Sequence, residues 1–195
     1  MGARALGEGG PARSSGVRRG LSAALCVAAA AFAGCGGDDE PEPLPSAPDT
    51  IEFSTPAFKP GGAIPAANTC AGEGKPPTLV WRALPPGSVE LVLVVHDEDA
   101  DFTHWTAYNI AGSSGSGLAP DGQFPAGVKN GANSEGETGW TPPCPPEGDD
   151  PHTYTFALYA LDEATGLEDG ASPEDVRAKL DGALGRGTFT GTFAR

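Results

Sequence analysis

The chain has 195 residues and carries 26 acidic against 12 basic side chains, a formal net charge of −14. So acidic a surface cannot displace counterions from a phosphate backbone, which excludes nucleic-acid binding and disfavours electrostatic docking on anionic lipid. Set apart from its N-terminal segment, the sequence is long enough for one domain with a single core.

In chain order, Arg18 and Arg19 precede an apolar run from Leu21 to Ala33 that closes on Phe32-Ala33-Gly34-Cys35. A basic start, a short apolar stretch and small residues before a cysteine read as a bacterial lipoprotein-type signal over residues 1–35. Cys35 is then the lipid-accepting residue and the mature N-terminus, and the protein sits in the cell envelope, membrane-anchored. The alternative is an ordinary cleaved signal and a secreted domain. The run is shorter than the roughly 20 apolar residues a transmembrane helix needs. Residues 36–49 are acidic and proline-rich and read as an extended tether, because such a composition buries no apolar surface.

Residues 50–195 form the expected domain. Thr78–Leu84, Val89–Asp97, Thr103–Ile110, Thr153–Leu161 and Arg186–Phe193 read as strands. The near-continuous Val and Leu content of the second predicts burial on both faces. The fourth alternates, with Tyr154, Phe156, Leu158 and Ala160 on one face and Thr155, Ala157 and Tyr159 on the other. Phe189 and Phe193 are expected to face inward. Between 111 and 139 the chain is glycine-rich and without periodicity, a functional or irregular loop. One helix is expected late in the chain: Ser172 caps it, Pro173 opens it, and Val176, Leu180 and Leu184 give an apolar stripe that Gly185 ends. The expected class is mainly β with long connections.

Of the four cysteines, Cys26 falls in the signal and Cys35 takes the lipid, leaving Cys70 and Cys144. In an exported chain two remaining cysteines favour a disulfide, worth about 4 kcal/mol in the chain-entropy model. Two free thiols or half a metal site are the other readings, although neither cysteine belongs to a Cys-x-x-Cys pair.

All three histidines lie close to carboxylates, prolines or a tyrosine: His96 before Asp97-Glu98-Asp99, His104 before Trp105, and His152 two residues ahead of Tyr154. At a strand end, period-2 geometry puts Asp97 and Asp99 on one side. If His104 and His152 converge there, each carboxylate steadies an imidazole and favours its charged form. Backbone amides of Cys144–Gly148 then help to grip an anion. The plainer readings are a solvated acidic turn at 97–101, a packed edge-strand His104, and loop-shaping prolines at 145 and 146. His96 alternates away from Asp97 and is expected to be structural or exposed. A metal is not favoured, since no His-x-His or His-x3-His pair occurs. No Gly-x-Ser-x-Gly elbow is present.

From Ile51 to Arg195 the ordered series of motifs resembles the phosphatidylethanolamine-binding protein family, in its bacterial branch related to Raf kinase inhibitor protein. The series includes Phe53-Ser54-Thr55-Pro56, Pro76-Pro77-Thr78-Leu79-Val80-Trp81, Asp97-Glu98-Asp99-Ala100-Asp101, His104-Trp105, Gly131-Ala132-Asn133, Cys144-Pro145-Pro146-Glu147-Gly148 and His152-Thr153-Tyr154. The resemblance implies a two-sheet β-sandwich-like fold with a C-terminal helix and a small anion-accepting cavity. Its implied walls are Asp97, Asp99, His104, Pro146, His152 and Tyr154, with no cofactor. This chain departs from the pattern in three places. Glu98 and Asp101 replace both prolines of the aspartate signature, Thr153 replaces an arginine, and Glu135 and Trp140 alter the glycine loop. The expected function is a non-enzymatic binding module for a small anionic or phosphorylated group. The alternatives are an inhibitor of an extracytoplasmic peptidase or kinase, with a protein partner bound through surface loops, or an acid–base enzyme using Asp97 or His152.

Overall fold

β-Branched and aromatic segments pair into two sheets in the computed structural model, which describes residues 43–113, 115–118 and 125–195. The expected signal segment and Cys35 lie outside the described residues, as does part of the 111–139 loop. In chain order the strands are β1 (Glu52–Ser54), β2 (Gly62–Ala63), β3 (Leu79–Arg82), β4 (Glu90–Asp97) and β5 (Phe102–Ala111). They continue as β6 (Gly115–Leu118), β7 (Lys129–Asn130), β8 (His152–Leu161) and β9 (Gly185–Phe193), with helix α1 (Pro173–Arg177) between the last two. A three-stranded sheet runs β1-β3-β6, and a six-stranded sheet runs β2-β9-β8-β4-β5-β7. Within the larger sheet only the short β2–β9 pair is parallel.

β4 is buried along its whole length because both faces of the large sheet are covered. Leu91, Leu93 and Val95 join Phe156 and Trp105 in a core that also takes Phe53 and Trp81 from the smaller sheet. Val92 and Val94 face the other way, onto a second core closed by Val176 and Leu180. Val89 falls outside the strand and is 53% exposed. β3 stops at Arg82 because Ala83 turns to a positive φ of 59°. The expected irregular loop contains β6 and β7.

Ser172 caps α1 as expected, its side chain accepting the Asp175 amide. The helix is shorter than expected, however, and ends at Arg177 rather than running to Leu184. Beyond it the amides of Lys179, Leu180 and Ala183 bond three residues back, and the Leu184 amide already bonds Ala160 in β8. Gly182, at φ 77°, turns the chain into the sheet. Leu180 stays buried, so the stripe is used, but by a tightened turn.

The last part of the expected tether is docked on the domain. Residues 43–49 are strapped along the second core instead of standing clear of the domain. Leu44 and Ala47 pack against that core. The Tyr159 hydroxyl donates to Pro45 O at 2.8 Å, Arg177 donates to Pro43 O at 2.6 Å, and the Arg186 amide donates to Pro48 O at 2.8 Å. Arg186 also pairs with Asp49 at 2.9 Å. A proline-rich segment has few amides to offer, so it docks through its carbonyls. Tyr159→Phe is expected to cost about 1 kcal/mol in urea unfolding, one net hydrogen bond. Proteolytic trimming from the N-terminus is expected to stop before residue 43. A limit digest beginning at 50 would show that the strap does not hold.

Candidate functional site

At the C-terminal end of β4 and the N-terminal end of β8 lies a cavity of about 280 Å³. Its lining includes Asp97, His104, Pro146, His152 and Tyr154, together with Phe102 and Glu135. Thus five of the six expected site residues meet in one place; Asp99 does not line it.

The strand register brings the two distant imidazoles together. On β8, His152 and Tyr154 share a face, and Tyr154 sits opposite Asp97 of β4. On β5 the pairing slips by one residue: Val95 faces Trp105, but His96 faces Thr103 and Asp97 faces Phe102. His104 is the extra residue. Without this bulge it would stand opposite His96, on the far side of the sheet; with it, the ring turns to the Asp97 side, a common use of bulges at sites. His96 lies on the other face, buried, 3.4 Å from both Thr103 Oγ1 and Asp101 Oδ1.

Asp97 is the hub. Its Oδ1 accepts the amides of Asp99 (3.0 Å) and Ala100 (3.1 Å), which closes the turn after β4. Its Oδ2 accepts His152 Nδ1 at 2.8 Å and stands 3.9 Å from His104 Nε2. The latter separation is an electrostatic contact rather than a formed hydrogen bond. His104 Nδ1 donates to Thr141 O at 2.9 Å, which fixes the ring and leaves Nε2 toward the cavity. Asp99 is placed differently because β4 ends at Asp97 and the chain turns, so period-2 geometry no longer applies. Its carboxylate accepts the Thr153 amide at 2.6 Å and secures the start of β8. Asp101 closes the turn at φ 48°. A proline ring cannot adopt that conformation, so Asp101 permits a turn that the proline implied here by the resemblance would not.

Burial would raise the Asp97 carboxyl, but interactions with His104 and His152 and the Ala100 amide prevail and hold it far below the ordinary carboxylate range. The Asp97 hydrogen bond raises the His152 imidazole, against the opposing effect of burial. Burial, aided by the nearby Asp97 charge, pushes the Tyr154 phenol far above its usual value. At neutral pH the site therefore holds a fixed carboxylate, an imidazole biased toward its charged form, and a phenol that keeps its proton. Tyr154 lines the cavity, and its buried hydroxyl makes no close hydrogen bond but lies near enough to Asp97 for that carboxylate to help hold its proton.

The far rim comes from residues that strand periodicity does not flag. Asn133 is buried, and its Oδ1 accepts the amides of Glu135 and Glu137, both at 2.9 Å. That knot sets Glu135 at the pocket rim. The Asn133 amide also donates to Thr141 Oγ1 at 2.9 Å. Its one sequence signal was the glycine-asparagine motif at 131–133. Among the lining residues the carboxylates are Asp97 and Glu135, and there is no lysine or arginine. The Cys70–Cys144 disulfide is formed, with Cα atoms 5.3 Å apart, and Cys144 belongs to the wall.

A family model described as phosphatidylethanolamine-binding protein (PEBP) matches residues 54–194. The sequence is 40% identical over 153 residues to a UPF0098 protein of Methanothermobacter thermautotrophicus, covering 74% of this chain and 99% of that one. It is 37% identical over 188 residues to LppC of Mycobacterium tuberculosis, which is named as a candidate lipoprotein, covering 87% of this chain and 92% of the relative. That share exceeds what residues 50–195 can supply, so the likeness reaches into the N-terminal segment. Among solved structures, one named as a candidate PEBP homologue from Chlamydia trachomatis superposes with a TM-score of 0.69 at 32% identity, over 75% of this chain and 99% of that chain. YbcL of Escherichia coli, described as a new member of the mammalian PEBP family, gives a TM-score of 0.69 at 25% identity, with the same two coverages.

Proposed function

Because this chain belongs to the phosphatidylethanolamine-binding protein family, we propose that its Asp97–His104–His152–Tyr154 pocket is a receptor site for a small anionic or phosphorylated group. The domain bearing it is a lipid-anchored module of the bacterial envelope. The observation that carries the pocket reading is the convergence of two imidazoles on Asp97 at a cavity that Tyr154 also lines. The anchoring rests on the Cys35 motif and on the likeness to LppC across the N-terminal segment.

For Asp97 and Tyr154, binding is the better fit than turnover. An acid–base catalyst needs a proton affinity near the working pH. Asp97 is held far below that range and Tyr154 far above it, so neither exchanges a proton at neutrality. What they supply is position: Asp97 keeps the His152 ring charged and oriented, and Tyr154 donates.

Calorimetry with acetate, inorganic phosphate and phosphoethanolamine tests the reading. Acetate keeps one charge across the range, so its affinity reports the protein alone. It is expected to weaken as pH rises through the elevated His152 value, because the imidazolium is lost. Tyr154→Phe is expected to weaken phosphate binding by about ten- to a hundredfold, the worth of one hydrogen bond to an anion. An absence of heat with all three ligands, or wild-type affinity in His152→Ala, would overturn the assignment.

A further inference from the structure

Five lining residues, Thr141, Pro142, Cys144, Pro145 and Pro146, come from one short stretch of chain. That stretch has no regular structure, and its composition forbids one: Pro142, Pro143, Pro145 and Pro146 have no amide hydrogen for a sheet ladder. At its head, Thr141 is well held, its amide bonding His104 O at 3.2 Å. Beyond Thr141 the attachments run mainly to Cys70. The Cys70 amide donates to Pro143 O at 3.1 Å, and the Cys70–Cys144 bond ties the centre of the wall. Arg195 adds a contact to Cys144 Sγ at 3.6 Å.

The segment carrying Cys70 is a firm base. A 3-10 turn at Ala66–Asn68 leads into it, buried Thr69 bonds Ala66 O through both its amide (3.0 Å) and its hydroxyl (3.2 Å), and Lys75 N returns to Ala67 O at 3.0 Å. Trp140, packed edge-on against Trp105 at 5.5 Å, donates to Gly74 O at 2.9 Å. The far side of the pocket sits on β-strands and is independent of these ties. Both half-cystines are exposed, and exposed disulfides are the ones reductants reach.

We propose that Cys70, which does not touch the pocket, is a positioning residue for it, and that thiol–disulfide exchange at Cys70–Cys144 sets the pocket's affinity. A dithiol reductant attacks one sulfur through its thiolate, and the other cysteine leaves as a thiolate that takes up a proton. The second reductant thiol then resolves the mixed disulfide. The two electrons and two protons gained by the cysteine pair are those lost by the dithiol, which leaves as its own disulfide. Between its ends the wall from Pro142 to Pro146 then keeps only the Cys70 amide bond to Pro143 O and the Arg195 contact, without the covalent tie, and the ligand loses a fixed side of its enclosure.

The inference rests on the pocket being an anion site, and the experiment separates the two. Inorganic phosphate is titrated into the oxidised protein, the protein reduced with dithiothreitol, and the Cys70→Ser/Cys144→Ser variant. Affinity is expected to fall at least tenfold in the last two and to return on reoxidation of the reduced protein. The His152 titration, followed by proton NMR, is expected to stay raised, because Asp97 and His152 are set by β4 and β8. Equal affinity in all three forms overturns the inference and leaves the pocket reading standing. No binding by the oxidised protein overturns both. An affinity loss accompanied by collapse of the His152 titration also overturns it, since the bond would then merely hold the fold.

Discussion

Asp97→Ala is expected to lose about 3–5 kcal/mol of folding stability and all measurable anion binding. The carboxylate is 2% exposed and accepts two backbone amides and one imidazole, with a second imidazole at 3.9 Å. Removing it leaves several buried donors unmet at once, the costly way to break a buried charge pair. Asp97→Asn keeps an acceptor for the two turn amides and loses only the charge toward His152, so about half the cost is expected. Urea unfolding of the two variants separates the turn from the imidazole.

The pH dependence follows from the directions of the shifts. Asp97 is lowered in the folded state, so its contribution is complete above the unfolded carboxylate value of about 4 and disappears as pH falls toward the folded one. His152 is raised, so its contribution is complete below the unfolded imidazole value of about 6.5 and disappears as pH rises through the folded one. Wild-type stability is therefore expected to be highest between about pH 4 and pH 6.5 on account of this pair. Both slopes should be absent in Asp97→Ala. A variant profile parallel to wild type would remove Asp97 from the centre of the site.

Gly187→Ala is expected to cost about 3 kcal/mol, the upper end for an overpacked core. On β9, Gly185, Gly187, Phe189 and Gly191 are buried at alternate positions. A Cβ at Gly187 would stand 2.3 Å from Ile51 O and 2.7 Å from Phe53 Cβ. The Ile51 backbone cannot retreat without breaking its 3.0 Å bond to Arg186 O. The methyl group therefore has to push β1, and with it the smaller sheet, away from β9. Thr188→Ala on the exposed neighbour is the control and is expected to stay within about 0.5 kcal/mol of wild type. If the two variants unfold at the same urea concentration, the sheets do not meet at the glycines.

The strands were legible because their burial is written in single-strand periodicity. β4 is apolar on both faces and is covered on both, and β8 alternates as Tyr154, Phe156 and Leu158 require. The convergence of His104, His152 and Asp97 followed from motif order, but its cause did not. A bulge at His104 is a property of two strands in register, and no pattern within β5 alone reveals it. Asp99 was misplaced for a related reason, since period-2 reasoning was carried two residues past the strand's end. Glu135 and Asn133 sit in a loop whose geometry is fixed by side-chain bonds to its own amides, a feature without periodicity. The strap was hidden because proline and acid predict solvation, whereas its carbonyls are met by Tyr159, Arg177 and Arg186.

That strap changes the reach of an anchored domain. For a chain acylated at Cys35, only residues 36–42 separate the lipid from the first docked residue, a contour of at most about 25 Å. Free length up to residue 49 would allow roughly twice that distance. In such an anchored chain a shorter leash would confine the domain to a thinner layer above the bilayer and raise the effective concentration at which it meets whatever that surface displays.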